Sequence, residues 1–456
     1  MKGKKGYLFK IILLLIALGS ITMLYWFGYH KNYDEKSIPK NADGIVMVDV
    51  KNIRNYFIFS YLKTPSQWQS CISNFGTKKK LSLSNFGIEV PDYMAFFHIE
   101  NQPVNQWFAV AKIINETDFE KATIDSHFTK TKLNDSFTGY QSNELGLFIV
   151  RYSNQILCCN IPKQQQVTIQ VAEDLFLKHQ FLDSKEIKNT IDTPNAATVW
   201  IKRNSLLQND AILNLKLQDQ EICIEGQLKW KPKSIKTASF SQNPNALLSL
   251  GFNFEMIRNQ NSLKQHSVQI NKLIGFNLDS ILAHNPTRTE LLLNEIVEKK
   301  DSAISYDYDD DFNPIKKVVV HTSREPSFYF SMQTEDSKKV YSYLKSQKAI
   351  DNHEVFVNFP LAPTKTSIRN NALVLEANPP KQLPSASSSS KIGYLQVHLD
   401  KLKPQDWRFI IAKNKSLQLL KSFGILSVDL TEKNNSGYFQ AHLQTKDKEN
   451  LITIIH

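Results

Sequence analysis

Apolar and polar residues alternate with a period of two along much of the chain. The clearest case is Glu221-Ile-Cys-Ile-Glu-Gly-Gln-Leu-Lys-Trp230. Such alternation predicts strands with one face on a core and one in water. The same pattern predicts strands over 93–100, 106–115, 148–161, 211–230 and 425–430. A helical period predicts long helices over about 52–75, 255–283 and 404–423, and another over 163–181.

Two short signatures recur and organise these elements. Pro followed by Asn-Ala opens an apolar strand at Pro39, Pro194 and Pro244, and Gly393 opens a similar strand without the proline. Proline is tolerated there because only a terminal donor is lost. The second signature is a strand that runs into a capped helix. It occurs at Phe328–Asp336 and Tyr438–Asp447, with Gln-Thr-x-Asp in both, and more loosely at Trp107–Asp118. A Thr or Asp at the junction can accept from the first free N–H groups of the helix. The repeated unit reads strand, long helix, strand, strand, short helix. Its spacing is long and uneven, which suits duplicated modules rather than a solenoid.

The N-terminus predicts a membrane helix. Lys2, Lys4, Lys5 and Lys10 precede an uncharged run over 11–29. At 1.5 Å per residue that run spans roughly 28 Å, near the thickness of a bilayer core. Ile11, Leu15, Leu18 and Leu24 would face lipid, and Trp26 and Tyr29 would lie at the far interface. The lysines place the near side in the cytoplasm, so the bulk of the chain is expected on the extracytoplasmic, periplasmic side of the inner membrane. Cleavage after Ala17-Leu18-Gly19 is the competing reading.

The expected fold class is therefore α+β: an N-terminal transmembrane helix followed by duplicated antiparallel-sheet and helix modules. The expected layout is a basic tail at 1–10, the anchor at 11–29 and a spacer at 30–40. Modules follow at 41–190, 191–377 and 391–456, with a Ser/Pro-rich mobile linker at 378–390. Ile38-Pro39-Lys40-Asn41-Ala42 leading into Val46-Met-Val-Asp49, behind such an anchor, resembles a loose group of uncharacterised single-pass bacterial envelope proteins. That resemblance implies an architecture and no activity.

Composition narrows the function classes. The 456 residues, 41% of them hydrophobic, are enough for a real core and exclude a chain that is disordered throughout. A length prior of about 150 residues per domain matches three modules. Only 15 glycines are present, and no Walker loop, nucleophile elbow or dinucleotide fingerprint can be placed. No cofactor is implied. The net charge of +11 includes the four N-terminal lysines. The rest suits an anionic lipid or envelope polymer better than nucleic acid, which an extracytoplasmic domain would not meet.

Candidate chemistry is sparse. Asp307, Asp309 and Asp311 have the spacing that opens a calcium loop, but Phe312 replaces the turn glycine and Val318 the bidentate glutamate. A strand running into an acidic turn explains them better. The 11 histidines are dispersed, with no helical metal-ligand pair. Asp49 and Asp400 end the opening strands of two modules, where helix capping explains both. Cys158 and Cys159 are adjacent in a strand, so their side chains should point to opposite faces. A cross-link from Cys71 or Cys223 to one of them, and buried free thiols throughout, both remain open.

The leading functional reading is an envelope protein that acts by binding or scaffolding, with another envelope protein or an anionic polymer as partner. The alternatives are an envelope hydrolase with a dispersed catalytic site, and a lipid- or hydrophobe-binding module. The first would show a cleft joining Ser or Asp to His. The second would show an apolar cavity between sheet and helices.

Overall fold

The structure, a computed structural model, describes residues 25, 28–33, 35–65, 83–183, 194–204, 207–230, 237–256, 267–308, 312–359, 361–379, 390–411, 415–433 and 436–454. The chain divides into two compact units, 1–226 with 450–456, and 227–449.

The first unit is an antiparallel sheet. Its strands are β1 (Ala42–Asp49), β2 (Tyr93–Ile99), β3 (Phe108–Lys112), β4 (Thr129–Lys132), β5 (Thr138–Ser142), β6 (Leu147–Tyr152), β7 (Gln155–Cys159), β8 (Ala197–Ile201) and β9 (Ala211–Leu217). They lie in the order β4-β5-β6-β7-β3-β2-β1-β8-β9. Alternation decides the faces. In β2 every second residue from Tyr93 is buried, because period-two side chains share a face. Asp49 ends β1 and starts α1 (Val50–Lys63): its carboxylate accepts from the Asn52 N–H at 2.8 Å.

Both faces of this sheet are covered. On one, Phe97, Phe108 and Leu157 pack with Val171 and Leu175. The last two come from α3 (Gln165–Ala172) and the π-helical turn Glu173–Leu177 that continues it. On the other, Phe119 packs with Tyr140, Ile149 and Ile156. Phe119 belongs to α2 (Glu116–Asp125), which is capped by Asn115 through the Asp118 N–H.

Strand β10 (Glu221–Lys229) carries the chain across the division. The second unit contains β11 (Ala238–Ser239), β12 (Leu248–Asn253), β13 (Arg288–Tyr308), β14 (Pro314–Gln333), β15 (Lys365–Arg369), β16 (Ala372–Ala377), β17 (Ser390–His398), β18 (Phe423–Lys433) and β19 (Ser436–Thr445). The order is β15-β16-β14-β13-β12-β17-β18-β19, all antiparallel, with β11 also on β17. The first unit has the same strand order about its centre, with β4 and β5 added at one edge. β1 lies between β2 and β8, and β12 lies between β13 and β17. The helices here are short: α4 (Ser267–Ile274), α5 (Leu278–Leu282), α6 (Ser337–Ser346) and α7 (Pro404–Ile411). A last short helix, α8 (Leu451–Ile454), belongs to the first unit.

Several expectations are corrected. Antiparallel strands dominate the fold. Strand β8, expected in a middle module, pairs with β1, and β9 pairs with β8. Strand β17, expected beyond a domain boundary, pairs with β12. No helix among the described residues is long and apolar enough to cross a membrane, so a transmembrane helix is not part of the observed fold. Ile11, Leu15, Leu18, Leu24 and Trp26 lie outside the described residues, as does most of the 378–390 linker. Tyr29 is exposed, and its N–H donates to the Tyr25 carbonyl at 2.8 Å.

The long helix expected over 255–283 is broken. Gly275 stops α4 with φ +80°, and Asn277 caps α5 by accepting from the Asp279 N–H. A left-handed residue ends a helix because the next N–H turns back onto the last turn. The Gly275 N–H donates to the Asn271 carbonyl at 2.8 Å. A Cβ at this position would also sit 2.6 Å from Asn358 Nδ2. Gly275→Ala should therefore destabilise the second unit by about 1–2 kcal/mol, the scale of a left-handed penalty for an L-residue. Urea denaturation followed by tryptophan fluorescence measures it, and an unchanged midpoint would contradict this account of the break.

Candidate functional site: an apolar cavity on the second sheet

Strand register builds one continuous apolar face in the second unit. Leu248 of β12 lies opposite Leu293 of β13, which lies opposite Phe328 of β14, which lies opposite Ala377 of β16. Leu250, Leu291, Phe330 and Leu375 form the next row by the same pairings. Phe252, Thr289, Met332 and Leu373 form a third. In-register antiparallel partners point to the same side, so the three rows make a single surface.

The third row is covered. Met332 and Leu373 pack with Ile281 of α5 and with Val340 and Leu344 of α6. Helix α6 is set there by Asp336, whose carboxylate accepts from the Lys339 N–H at 3.1 Å. Neither α5 nor α6 contributes a residue to the lining over the first row. That job falls to the loop after α6, residues 350–364. Its ends are tied down by Phe356 N–H to the Thr364 carbonyl at 2.8 Å and Val357 N–H to the Ala349 carbonyl at 2.9 Å. Phe359 meets Phe328 edge to face, with ring centroids 5.0 Å apart. Phe356 meets Phe276 in the same manner at 6.3 Å.

Sheet and loop do not close on each other. Between them is a cavity of about 790 Å³, lined by Leu248, Leu293, Phe328, Phe330, Phe359 and Leu375 among others. A second apolar pocket of about 310 Å³ lies toward α4 and α5 and shares Leu291, Phe330, Phe356 and Leu375 with the first. Leu361 stands at the rim with 63% of its surface exposed.

Charge is confined to one end of the large cavity. There Arg324 donates from Nη1 and Nη2 to the two carboxylate oxygens of Asp406, at 2.5 and 3.3 Å. Asp406 also accepts from the Lys403 N–H at 2.8 Å, fixing the first turn of α7. These hydrogen bonds hold the Arg324 guanidinium even further above its ordinary range. Lys403 reaches Glu298 at 3.2 Å, and Glu298 is the cross-strand partner of Arg324. Beside this cluster is a polar vestibule of about 260 Å³. It is lined by Asn294, Glu295, Arg324, Lys401, Lys403 and Asp406, with Leu247 and Ile296. Asn294 sits where the β13–β14 register shifts, between Leu293 and Glu295.

The residues singled out from sequence lie elsewhere. Asp307 is near the outer end of β13, within 3.3 Å of Lys317 on β14, while Asp309 and Asp311 lie outside the described residues. Among the described residues no group of three His, Cys, Asp or Glu could hold a metal ion. His98 is paired with Asp43 at 2.6 Å and with the Pro103 carbonyl at 3.1 Å. His398 bonds the Pro244 carbonyl through Nε2 at 2.7 Å. Asp49 caps α1, but Asp400 does not cap a helix; it lies 3.5 Å from His398 Nδ1. Capping at that junction comes from Asp406 instead. Cys158, Cys159 and Cys223 are free thiols, and Cys71 lies outside the described residues. Cys159 packs in one core of the first unit and Cys158 against the other, on opposite faces as expected.

The cavity residues escaped the sequence reading. Two signals for them were available: alternation in Phe328-Tyr-Phe330, and two phenylalanines, Phe356 and Phe359, in a Pro-rich loop.

No known protein family matches the chain, and no curated protein matches it. Among solved structures, crystal form III of TP0453 is similar with a TM-score of 0.27 and 10% identity, covering 44% of this chain and 80% of that one. Crystal form I of TP0453 gives 0.28 and 11%, covering 45% and 82%. Likenesses at that level carry no argument here.

Desolvation, and secondarily the neighbouring Cys159, push the Cys158 thiol from 9.0 up to about 12. The fold therefore favours the neutral thiol. That contribution is complete below the unfolded value and is lost as pH rises from 9 toward 12, by at most about 1.4 kcal/mol per pH unit. Urea midpoints at pH 8 and pH 10.5 should fall further for the wild type than for Cys158→Ala. Parallel curves would show that Cys158 does not titrate in this way.

Proposed function

We propose that the second unit binds a hydrophobic ligand between its sheet and the 350–364 loop. The observation that carries this is the cavity itself: about 790 Å³ of space lined by leucine and phenylalanine, with charge at one end only. Ligand pockets of roughly 300–1,000 Å³, mainly apolar with a few placed polar groups, are the usual form of a small-molecule site. Burial of apolar surface supplies about 25 cal/mol per Å², so a long hydrocarbon needs no specific contact to be retained. The half-buried side chains of Leu291, Leu293, Phe330 and Leu375 would gain that burial on binding.

A scaffolding role draws its support from a different feature. Beyond the pairings with β12 and β16, residues 295–308 and 314–327 continue as a two-stranded ribbon. On one face of it Ile304 lies opposite Val318, and both are about two-thirds exposed, at 64% and 65%. Isolated ribbons are marginal in water, so this face suits a protein contact. Crosslinking in intact cells that is lost in Val318→Asp would favour that role.

The hydrophobe reading is tested with a neutral apolar fluorophore such as N-phenylnaphthylamine. The expected result is saturable binding in the micromolar range. Leu293→Trp, which fills the cavity, should weaken binding at least about tenfold with an unchanged melting temperature. Absence of saturable binding, or binding indifferent to Leu293→Trp, would sink it.

A further inference from the structure

Resting on the hydrophobe-binding reading, we infer that Phe356 fixes the length of the hydrocarbon chain that the site accepts. The chain lies along the strands in the large cavity and ends against the Phe356 ring. The small pocket behind that ring is closed to it.

Register gives the large cavity a direction. The opposed pairs Ile296–Pro326, Leu293–Phe328 and Leu291–Phe330 line it in that order, starting from the charged end at Arg324. From Arg324 to Phe330 is six residues of β14, or about 20 Å at 3.4 Å per residue. The next pair on the same face, Thr289–Met332, lines the small pocket instead. The two spaces therefore follow one another along the same strands.

Four of the described residues line both spaces: Leu291, Phe330, Leu375 and Phe356. The first three form the second row of the sheet, a floor common to both. Phe356 is the one that comes from the cover. A ring that stands over the shared floor and faces both spaces divides them. Its backbone is clamped on either side. Residue Phe356 bridges to Ile350 and Val355 bridges to Lys365. The Thr366 N–H donates to the Glu354 carbonyl at 2.7 Å, and the Val357 N–H to the Ala349 carbonyl at 2.9 Å. The ring also meets Phe276 edge to face. A side chain held in this way acts as a wall.

The wall sets a length. A C–C bond of about 1.52 Å advances an extended chain by roughly 1.25 Å per carbon, so about 16 carbons span the large cavity. Each methylene buried short of the wall tightens binding about fourfold. Carbons beyond that number stay in water and add nothing. Behind the wall, the small pocket has a lining that is apolar apart from Thr289. It would receive further methylenes if the ring were removed.

The test uses the full chain and straight-chain alcohols of about 10 to 22 carbons, delivered from cyclodextrin and displacing N-phenylnaphthylamine. Variant and wild type are compared at each length, so the carrier cancels. Wild-type affinity should rise with length and stop near 16 carbons. Phe356→Ala should bind alcohols of about 18 to 20 carbons at least about tenfold more tightly than the wild type does, two methylenes at about fourfold each. Its affinity for the short alcohols should match the wild type, which also shows that it is folded. Phe356→Leu, a milder change, should give a smaller excess for the same long alcohols. Adding Leu282→Trp, which fills the small pocket, to Phe356→Ala should cancel the excess. A ratio to wild type that is the same at every length in both Phe356 variants would overturn the inference and leave the hydrophobe reading standing. So would a wild-type affinity that keeps rising through 22 carbons. An excess that survives Leu282→Trp would overturn the route behind the ring. Failure of every alcohol to bind the wild type would remove both readings.

Discussion

Cross-strand register in the second unit is the constraint on which the rest depends. The pairings Leu248–Leu293–Phe328–Ala377 and Leu250–Leu291–Phe330–Leu375 align apolar side chains from four strands on one face. A shift of one residue would send each row to the opposite side. Once the rows are aligned, a wide apolar surface exists and something must cover it. Part of the surface is closed by α5 and α6, and the remainder by a loop that touches it through Phe359. The cavity is what lies between the sheet and a cover that meets it at a few rings.

The polar end follows from the same strands. Arg324 and Glu298 are opposite in the β13–β14 register. The shift between Leu293 and Glu295 changes the alternation at Asn294, bringing a polar side chain to the edge of an apolar row. A bulge re-aims side chains in this way. Asp406 then joins the strand pair to α7 by holding Arg324 with one set of contacts and the Lys403 N–H with another. An ion pair at the edge of an apolar space contributes little to stability by itself, but it places charge at one end and leaves the other dry.

The two units share a strand order about their centres and use it differently. In the first, a helix and its π-helical turn, with Val171 and Leu175, fill one face. In the second, the loop after α6 meets the apolar rows through Phe359. One strand order is compatible with different covers, so fold alone does not carry function.

Much of the local structure was legible in the chain. Many strands were visible in their period-two pattern, but not β13 and β16, which line the cavity; the cap at Asp336 was visible in its Gln-Thr-x-Asp hook, and the opposite facing of Cys158 and Cys159 in their adjacency. These features depend on neighbours within a few residues. The break in the 255–283 helix rests on two local signals, Gly275 and Asn277; the pairing of β17 with β12 was not legible, because it joins segments distant in sequence. The cavity belongs to the same class: Leu293, Phe328, Phe359 and Leu375 are ordinary core residues until register and a loop place them around a space. The sequence by itself determined where strands, caps and turns form, since backbone geometry and side-chain period act locally. Tertiary structure alone decided which apolar faces were closed and which was left to line a cavity, since burial is a property of what packs opposite.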